Sequence, residues 1–315
     1  MDRDLIRRGL CSIGSAILGF GSVASIDTAT AAEPAVPVPE VTVIAPRPPT
    51  PEELAGEAVP NFIASHARPS TVIHQITRWH IGICPAAYGL SPAFNDFVTA
   101  RLLAVAATVG APRDPATKCS HNVEIFFTTE PQKVLDDVVK RNTELLGFHY
   151  PHQTKALATV RRAIQGWYVT GTGDTGGWVI DAALPYSLKD PNNLMTAGTV
   201  PPARLGTRLY TGINSSIFNA LIVVDANQVT GHTIGSISDF LAMMILSRVQ
   251  SPDTCGALPS ILDLMAENCG REEPAQLTAG DIAFLRALYR MDLKEQLSLE
   301  TYDIQNAMMR EFKSH

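Results

Sequence analysis

Residues 217–225, IFNALIVVD, and residues 234–249, IGSISDFLAMMILSRV, decide the fold. In the first stretch Leu221, Ile222, Val223 and Val224 put apolar side chains on both faces of a strand, which suits the middle of a sheet covered on both sides. In the second, Ile234, Ile237, Phe240, Leu241, Met243, Met244, Ile245, Leu246 and Val249 run nearly all the way round a helix, so the helix is expected to be buried. Asp239 stands inside it beside Ser238. A carboxylate there must be paired, hydrogen-bonded or protonated. One reading gives it a basic side chain or loop N–H groups as partners; the other makes it a site residue with a raised pKa.

Outward from this unit the chain reads as mixed. Ser91-Pro92 starts a helix in which Phe94, Val98, Leu102, Val105 and Val109 recur at helical spacing, and Gly110 ends it. Asn122–Thr128 is a strand by its β-branched and aromatic content, and Pro131 opens a helix carrying Val134, Leu135, Val138 and Val139. Strands are expected at 166–170 and 178–182. Thr278 and Asp281 form a capping-box pair ahead of a helix to Tyr289, and a last helix carries Ile304, Met308 and Phe312. Without a regular alternation of strand and helix, the class is α+β: a mixed sheet packed with helices.

The domain is expected over residues 58–315, with a possible subdivision near 150–160. Before it, residues 32–57 read as a linker, because seven prolines fall between 34 and 51. Residues 1–31 read as a secretory signal: Arg7-Arg8, an apolar stretch from Leu10 to Ile26, then Ala29-Thr30-Ala31 for cleavage. Arg7-Arg8-Gly9-Leu10 also has a hint of twin-arginine export. No other segment is long and apolar enough to span a membrane. A periplasmic or secreted location follows.

That location sets the reading of the cysteines. Cys84, Cys119, Cys255 and Cys269 make an even count, which in an oxidising compartment argues for two disulfides. Three pairings are possible; the sequential one closes the shortest loops. With no Cys-x-x-Cys, zinc binding by these residues has little support.

Composition narrows the function. The chain is 45% hydrophobic and 18% charged, as in a globular protein rather than a disordered one. A net charge of −6, with a short basic pair such as Arg161-Arg162 expected to be a solvated helix face, argues against nucleic-acid binding. The glycine-rich Gly171–Gly177 lacks the Gly-Lys-Ser/Thr ending of a phosphate loop and reads as a hairpin turn. Asp174-Thr175-Gly176 has no second copy to make an aspartic-protease dyad. His149 and His152 could share a metal only with a third ligand. Gly235–Asp239 has Asp where a nucleophile elbow needs Gly.

The strand–helix unit at 217–249 resembles the core of zincin-type metallopeptidases, in which the helix carries His-Glu-x-x-His. Here Ser238 and Ala242 stand at the two ligand positions and Asp239 at the glutamate. The stretch from Cys255 through Pro259-Ser260-Ile261 and Cys269 to Phe284–Tyr289, with residues 40–49 and 79–90, resembles uncharacterised exported proteins of alphaproteobacterial type. Some of these have a zincin-like C-terminal half. With no metal ligands at that helix spacing, the reading is an exported, non-catalytic binding or envelope accessory protein on a zincin-like core that has lost its metal site, with a protein or peptide partner and no cofactor. The alternative is a periplasmic hydrolase with an unrecognised site, for which Asp225, His232 and Asp239 are the candidates. A third possibility is an enzyme-inhibitor or peptide-binding module.

Overall fold

The computed structural model describes residues 50, 53–116, 118–147, 153–174, 177–181, 212–249, 252–291 and 297–313. All of them fall within one unit, Pro49–His315. The expected signal, most of the linker, and His149 and His152 lie outside the described residues.

The central strand is β6 (Asn214–Asp225), and the others assemble around it. They are β1 (Arg78–Trp79), β2 (Pro85–Tyr88), β3 (Val123–Thr128), β4 (Ile164–Asp174) and β5 (Gly177–Ile180). The order is β2-β3-β6-β4-β5, with β1 beside the start of β6. β1 and β3 run parallel to β6, and β2 parallel to β3. β4 is antiparallel to β6 and to β5. The sheet is therefore mixed, and the α+β class holds. It also crosses the expected subdivision near 150–160, since β6 pairs with β3 before it and β4 after it.

Burial follows the sequence of β6. Leu221, Ile222, Val223 and Val224 are all 2% exposed or less. Ile222 and Val224 belong to the main helical core. Leu221 and Val223 alternate to the other face, where Trp167 stands opposite Leu221 in the ladder.

Among the described residues seven helices accompany the sheet: α1 (Val59–His66), α2 (Pro92–Val109), α3 (Pro131–Arg141), the single turn α4 (Thr154–Leu157), α5 (Ile234–Ser247), α6 (Ala279–Arg290) and α7 (Leu297–Lys313). A π-helical turn, Leu54–Ala58, leads into α1, so regular structure starts a few residues inside the stretch expected to be linker. In α2 the apolar stripe begins one turn later than the spacing implies. Val98, Leu102, Val105 and Val109 are buried, but Phe94 is 52% exposed. Ser91 occupies the N-cap without a side-chain bond. Asn95 ties down that end instead, accepting from Leu90 N–H and donating to Leu90 O. Gly110 ends α2 at φ 81°, a left-handed position that favours glycine.

The glycine-rich stretch is more strand than turn. Gly171 pairs with Ile180 and Gly173 with Trp178, so the hairpin closes only after Asp174. A Cβ on Gly173 would lie 2.1 Å from Gly177 O, and this close backbone approach requires glycine.

α5 is buried throughout from Ser236 to Ser247. Its N-terminus is capped by Thr233, whose hydroxyl accepts from Ser236 N–H at 3.1 Å. Of its last carbonyls Met244 O already accepts from Arg248 N–H, and those beyond it would be orphans in the interior. Three aromatic side chains serve them: Tyr168 donates to Met244 O (2.9 Å), Trp79 to Ile245 O (2.8 Å) and Tyr289 to Leu246 O (2.7 Å). Buried Arg78 does the same for α6, donating to Leu288 O and, at 3.1 Å, to Met291 O.

Two disulfides staple the unit in the sequential pairing: Cys84–Cys119, with Cα atoms 6.0 Å apart, and Cys255–Cys269, at 5.3 Å. Among the described residues no helix is long and apolar enough to cross a membrane.

Candidate functional site

Asp239 sits one turn into α5, with its side chain only 2% exposed. It is held from two sides. Arg101 of α2 donates through Nε to Oδ1 at 2.5 Å and through the guanidinium Nη2 to Oδ2 at 2.9 Å. Leu277 N–H donates to Oδ2 at 3.0 Å. The bidentate fork and the backbone donor together supply what a buried carboxylate needs, and they match the reading in which a basic side chain and a loop N–H are its partners. Ser238 beside it turns its hydroxyl back onto Ile234 O at 2.6 Å, and Ala242 is fully buried.

Asp225 ends β6 and spends both oxygens on its own turn. Oδ1 accepts from the backbone N–H (3.0 Å) and the side-chain amide (2.9 Å) of Asn227, and Oδ2 accepts from the Gln228 amide at 2.7 Å. This is the turn-forming habit of aspartate. His232 is half-buried in the loop before α5, and its backbone N–H donates to Val229 O. Among the described residues no hydrogen bond or ion pair joins any two of Asp225, His232 and Asp239, and no three His, Cys, Asp or Glu side chains are placed to hold a metal ion.

A larger polar network, centred on Ser260, lies where the sequence reading saw only a helix cap. Ser260 caps a short 3-10 turn, Ile261–Met265, in a capping box with Asp263, while Thr278 and Asp281 form the expected box at α6. The two boxes are joined. Ser260 Oγ donates to Asp281 Oδ1 at 2.6 Å, and Ile261 N–H donates to Asp281 Oδ2 at 2.8 Å. His66 Nε2 lies 3.1 Å from Ser260 Oγ, and His66 Nδ1 lies 2.8 Å from both Ser65 Oγ and Phe62 O. Burial lowers the His66 pKa to about 4, outweighing the support of Phe62 O and Asp263. Burial also raises Asp281, against the hydrogen bonds from Ser260, Ile261 and Thr278.

Serine, histidine and aspartate here share their names with a hydrolytic triad but not its order. A nucleophile needs the imidazole to take its proton, with the carboxylate behind the imidazole. In this chain the carboxylate holds the serine directly, and all three residues are 3% exposed or less. The arrangement locks α1, the 3-10 turn and α6 together. Arg271 clamps the same region, forking onto Asp263 (2.7 and 3.0 Å) and donating to Gly256 O and Leu258 O across the Cys255–Cys269 loop.

A scan against protein-family models gave no match, and searches of curated proteins and of solved structures gave none either.

The sequence reading missed Arg101, His66 and Ser260. The capping box at Thr278 was the one available signal, because it marked Asp281 as a group already engaged.

Proposed function

We propose that this chain is an exported binding or envelope accessory protein, built on a zincin-like core in which the helix positions of the metal ligands have passed to structural use. The observation that carries this reading is the engagement of Asp239. At the place of a metallopeptidase glutamate, the carboxylate is forked by Arg101 and bonded to Leu277 N–H, leaving it no freedom to act on a water. Ser238 and Ala242, at the two ligand positions, lack the imidazoles that such a site uses. Export is supported by the two disulfides, which suit an oxidising compartment, and by the signal-like N-terminus. The acidic net charge supports a protein or peptide partner over nucleic acid.

The test is a peptidase assay on the unmodified chain purified without chelators, with zinc content measured on the same sample and Asp239→Asn alongside. The expected result is no cleavage, no retained stoichiometric metal and a stability loss in Asp239→Asn. Metal-dependent cleavage that Asp239→Asn abolishes, with melting temperature kept, would establish the hydrolase reading instead. Ligands would then be sought at His232, His149 and His152.

A further inference from the structure

The far end of α5 gathers positive charge that nothing among the described residues neutralises by contact. Arg248 stands at the C-cap with φ 51° and ψ 53°, a left-handed conformation uncommon for a bulky side chain. Its Nη1 donates to Thr77 Oγ1 at 3.1 Å, while its buried Nε has no acceptor. Arg68 lies on the chain segment paired with that of Thr77. Pro69 bridges Ile76 in antiparallel fashion, and Thr77 N–H donates to Arg68 O at 3.4 Å. Arg68 and Thr77 are therefore cross-strand partners, whose side chains share a face.

The surroundings are rich in donors and poor in acceptors. Thr77 Oγ1 and Ser215 Oγ bond each other at 3.0 Å, and the Tyr168 hydroxyl is already committed to Met244 O. Asp181 is the carboxylate whose charge reaches Arg248, but its oxygens accept from Thr170 at 2.6 Å and Thr172 at 2.8 Å. Among the described residues neither Arg68 nor Arg248 has an ion-pair partner. The two charges also oppose each other: burial first, and Arg68 next, hold the Arg248 pKa down to about 10. A buried donor without an acceptor, facing a second guanidinium, is costly unless an anion stands between them.

We propose that Arg68 and Arg248 form a binding site for a small oxyanion, a carboxylate or a phosphate. Arg248, fixed by its backbone and by Thr77, supplies the preset donor at Nε. Arg68, exposed, closes on the ligand from solvent. Guanidinium groups suit both anions because their forked N–H donors match paired oxygens. The site lies at the opposite end of α5 from the N-terminal turns that carry Ser238 and Asp239, and it does not depend on the function proposed above.

The experiment is isothermal titration of the full chain with inorganic phosphate and, separately, with acetate, at fixed ionic strength. Arg68→Gln is compared with the wild type, with Lys133→Gln as a control for general surface charge. Arg68 is exposed and makes no side-chain bond among the described residues, so this variant should fold as the wild type does. The expected result is saturable binding of at least one anion, about tenfold or more weaker in Arg68→Gln and unchanged in Lys133→Gln. The anion that binds identifies the ligand as phosphate or carboxylate. Arg248→Lys, which keeps the charge but lacks the Nε donor, should lose affinity to a similar degree. Absence of saturable binding by both anions overturns the proposal. So does wild-type affinity in Arg68→Gln, or an equal loss in Lys133→Gln.

Discussion

The hydroxyl of Ser260 donates to the carboxylate of Asp281 across 2.6 Å, and this one bond ties the cap of a 3-10 turn to the cap of α6. Ser260→Ala removes a donor from a buried carboxylate and leaves His66 Nε2 without its hydroxyl partner. Bonds to charged groups contribute about 1.5–3 kcal/mol each, so a loss of about 2–3 kcal/mol is expected. Urea unfolding should show a lower midpoint with an unchanged m-value. A shift worth under about 0.5 kcal/mol, the size of an ordinary surface change, would mean that the network adds no stability.

Two histidines make the fold sensitive to acid. Burial lowers both His66 and His80 to about 4, with the Arg78 charge helping at His80. A folded pKa below the unfolded value of about 6.5 means that the unfolded chain binds more protons between those limits, so stability falls as pH drops from about 6.5 to about 4. Each histidine contributes on the order of 3 kcal/mol to that loss. Asp281, raised in the folded state, acts in the opposite sense at the acid end, because there the folded chain takes up the proton first. Denaturant midpoints measured across this range should rise with pH, and His66→Gln should flatten the slope. An unchanged slope in that variant would show that His66 does not titrate as its burial requires.

Asp239→Asn keeps the shape of the side chain but takes the charge from a bidentate pair. Arg101 is 39% exposed in that pair, so water compensates part of its loss, and about 1–3 kcal/mol of destabilisation is expected rather than the full cost of a buried pair. A double-mutant cycle with Arg101→Gln should return a coupling of 0.5 kcal/mol or more, roughly the threshold for residues in contact. Simple additivity would contradict the bond geometry.

The disulfides differ in the loops they close, with separations of 35 residues for Cys84–Cys119 and 14 for Cys255–Cys269. Loop-closure entropy assigns about 4 kcal/mol to the first and about 3 kcal/mol to the second. Paired Cys→Ser variants compared by thermal unfolding should follow that order. Non-reducing peptide mapping should recover the Cys84–Cys119 and Cys255–Cys269 peptides, and any crossed peptide would refute the pairing.

Trp79→Phe removes the indole N–H from Ile245 O inside the core. The expected cost is about 1–3 kcal/mol for the unsatisfied carbonyl, with some packing loss besides. Tyr289→Phe should behave similarly at Leu246 O. Neither change should alter the helical signal in far-UV circular dichroism below the melting transition.

Much of this architecture is written locally in the chain. β6 and α5 were legible because apolar runs of that length leave few alternatives, and the box at Thr278 and Asp281 because its spacing is fixed by one helical turn. The start of β6 at Asn214–Ser216 and the glycines of β4 were not, since serine, asparagine and glycine carry weak strand preference and are held there by their neighbours in the ladder. β1, two residues long, gives no periodicity to read. The site was least legible. The need of Asp239 for a partner could be deduced from its surroundings, but Arg101 lies 138 residues away, and His66 is 194 residues from Ser260. Pairing at such distances is set by how elements pack, which one sequence does not display.

The aromatic caps on α5 also bear on the order in which the molecule can be completed. Trp79 and Tyr168 precede the helix in the chain, but Tyr289 comes more than forty residues after the carbonyl it serves. As the chain emerges from its N-terminal end, α5 can lie against the sheet early, yet Leu246 O must remain hydrated until α6 arrives. The arrival of α6 also brings the Leu288 and Met291 carbonyls to Arg78, which waits on β1 with no earlier claim from them. Maturation of the core is thus gated by a late segment, and a nascent chain stalled before residue 289 would hold its central helix open at one end.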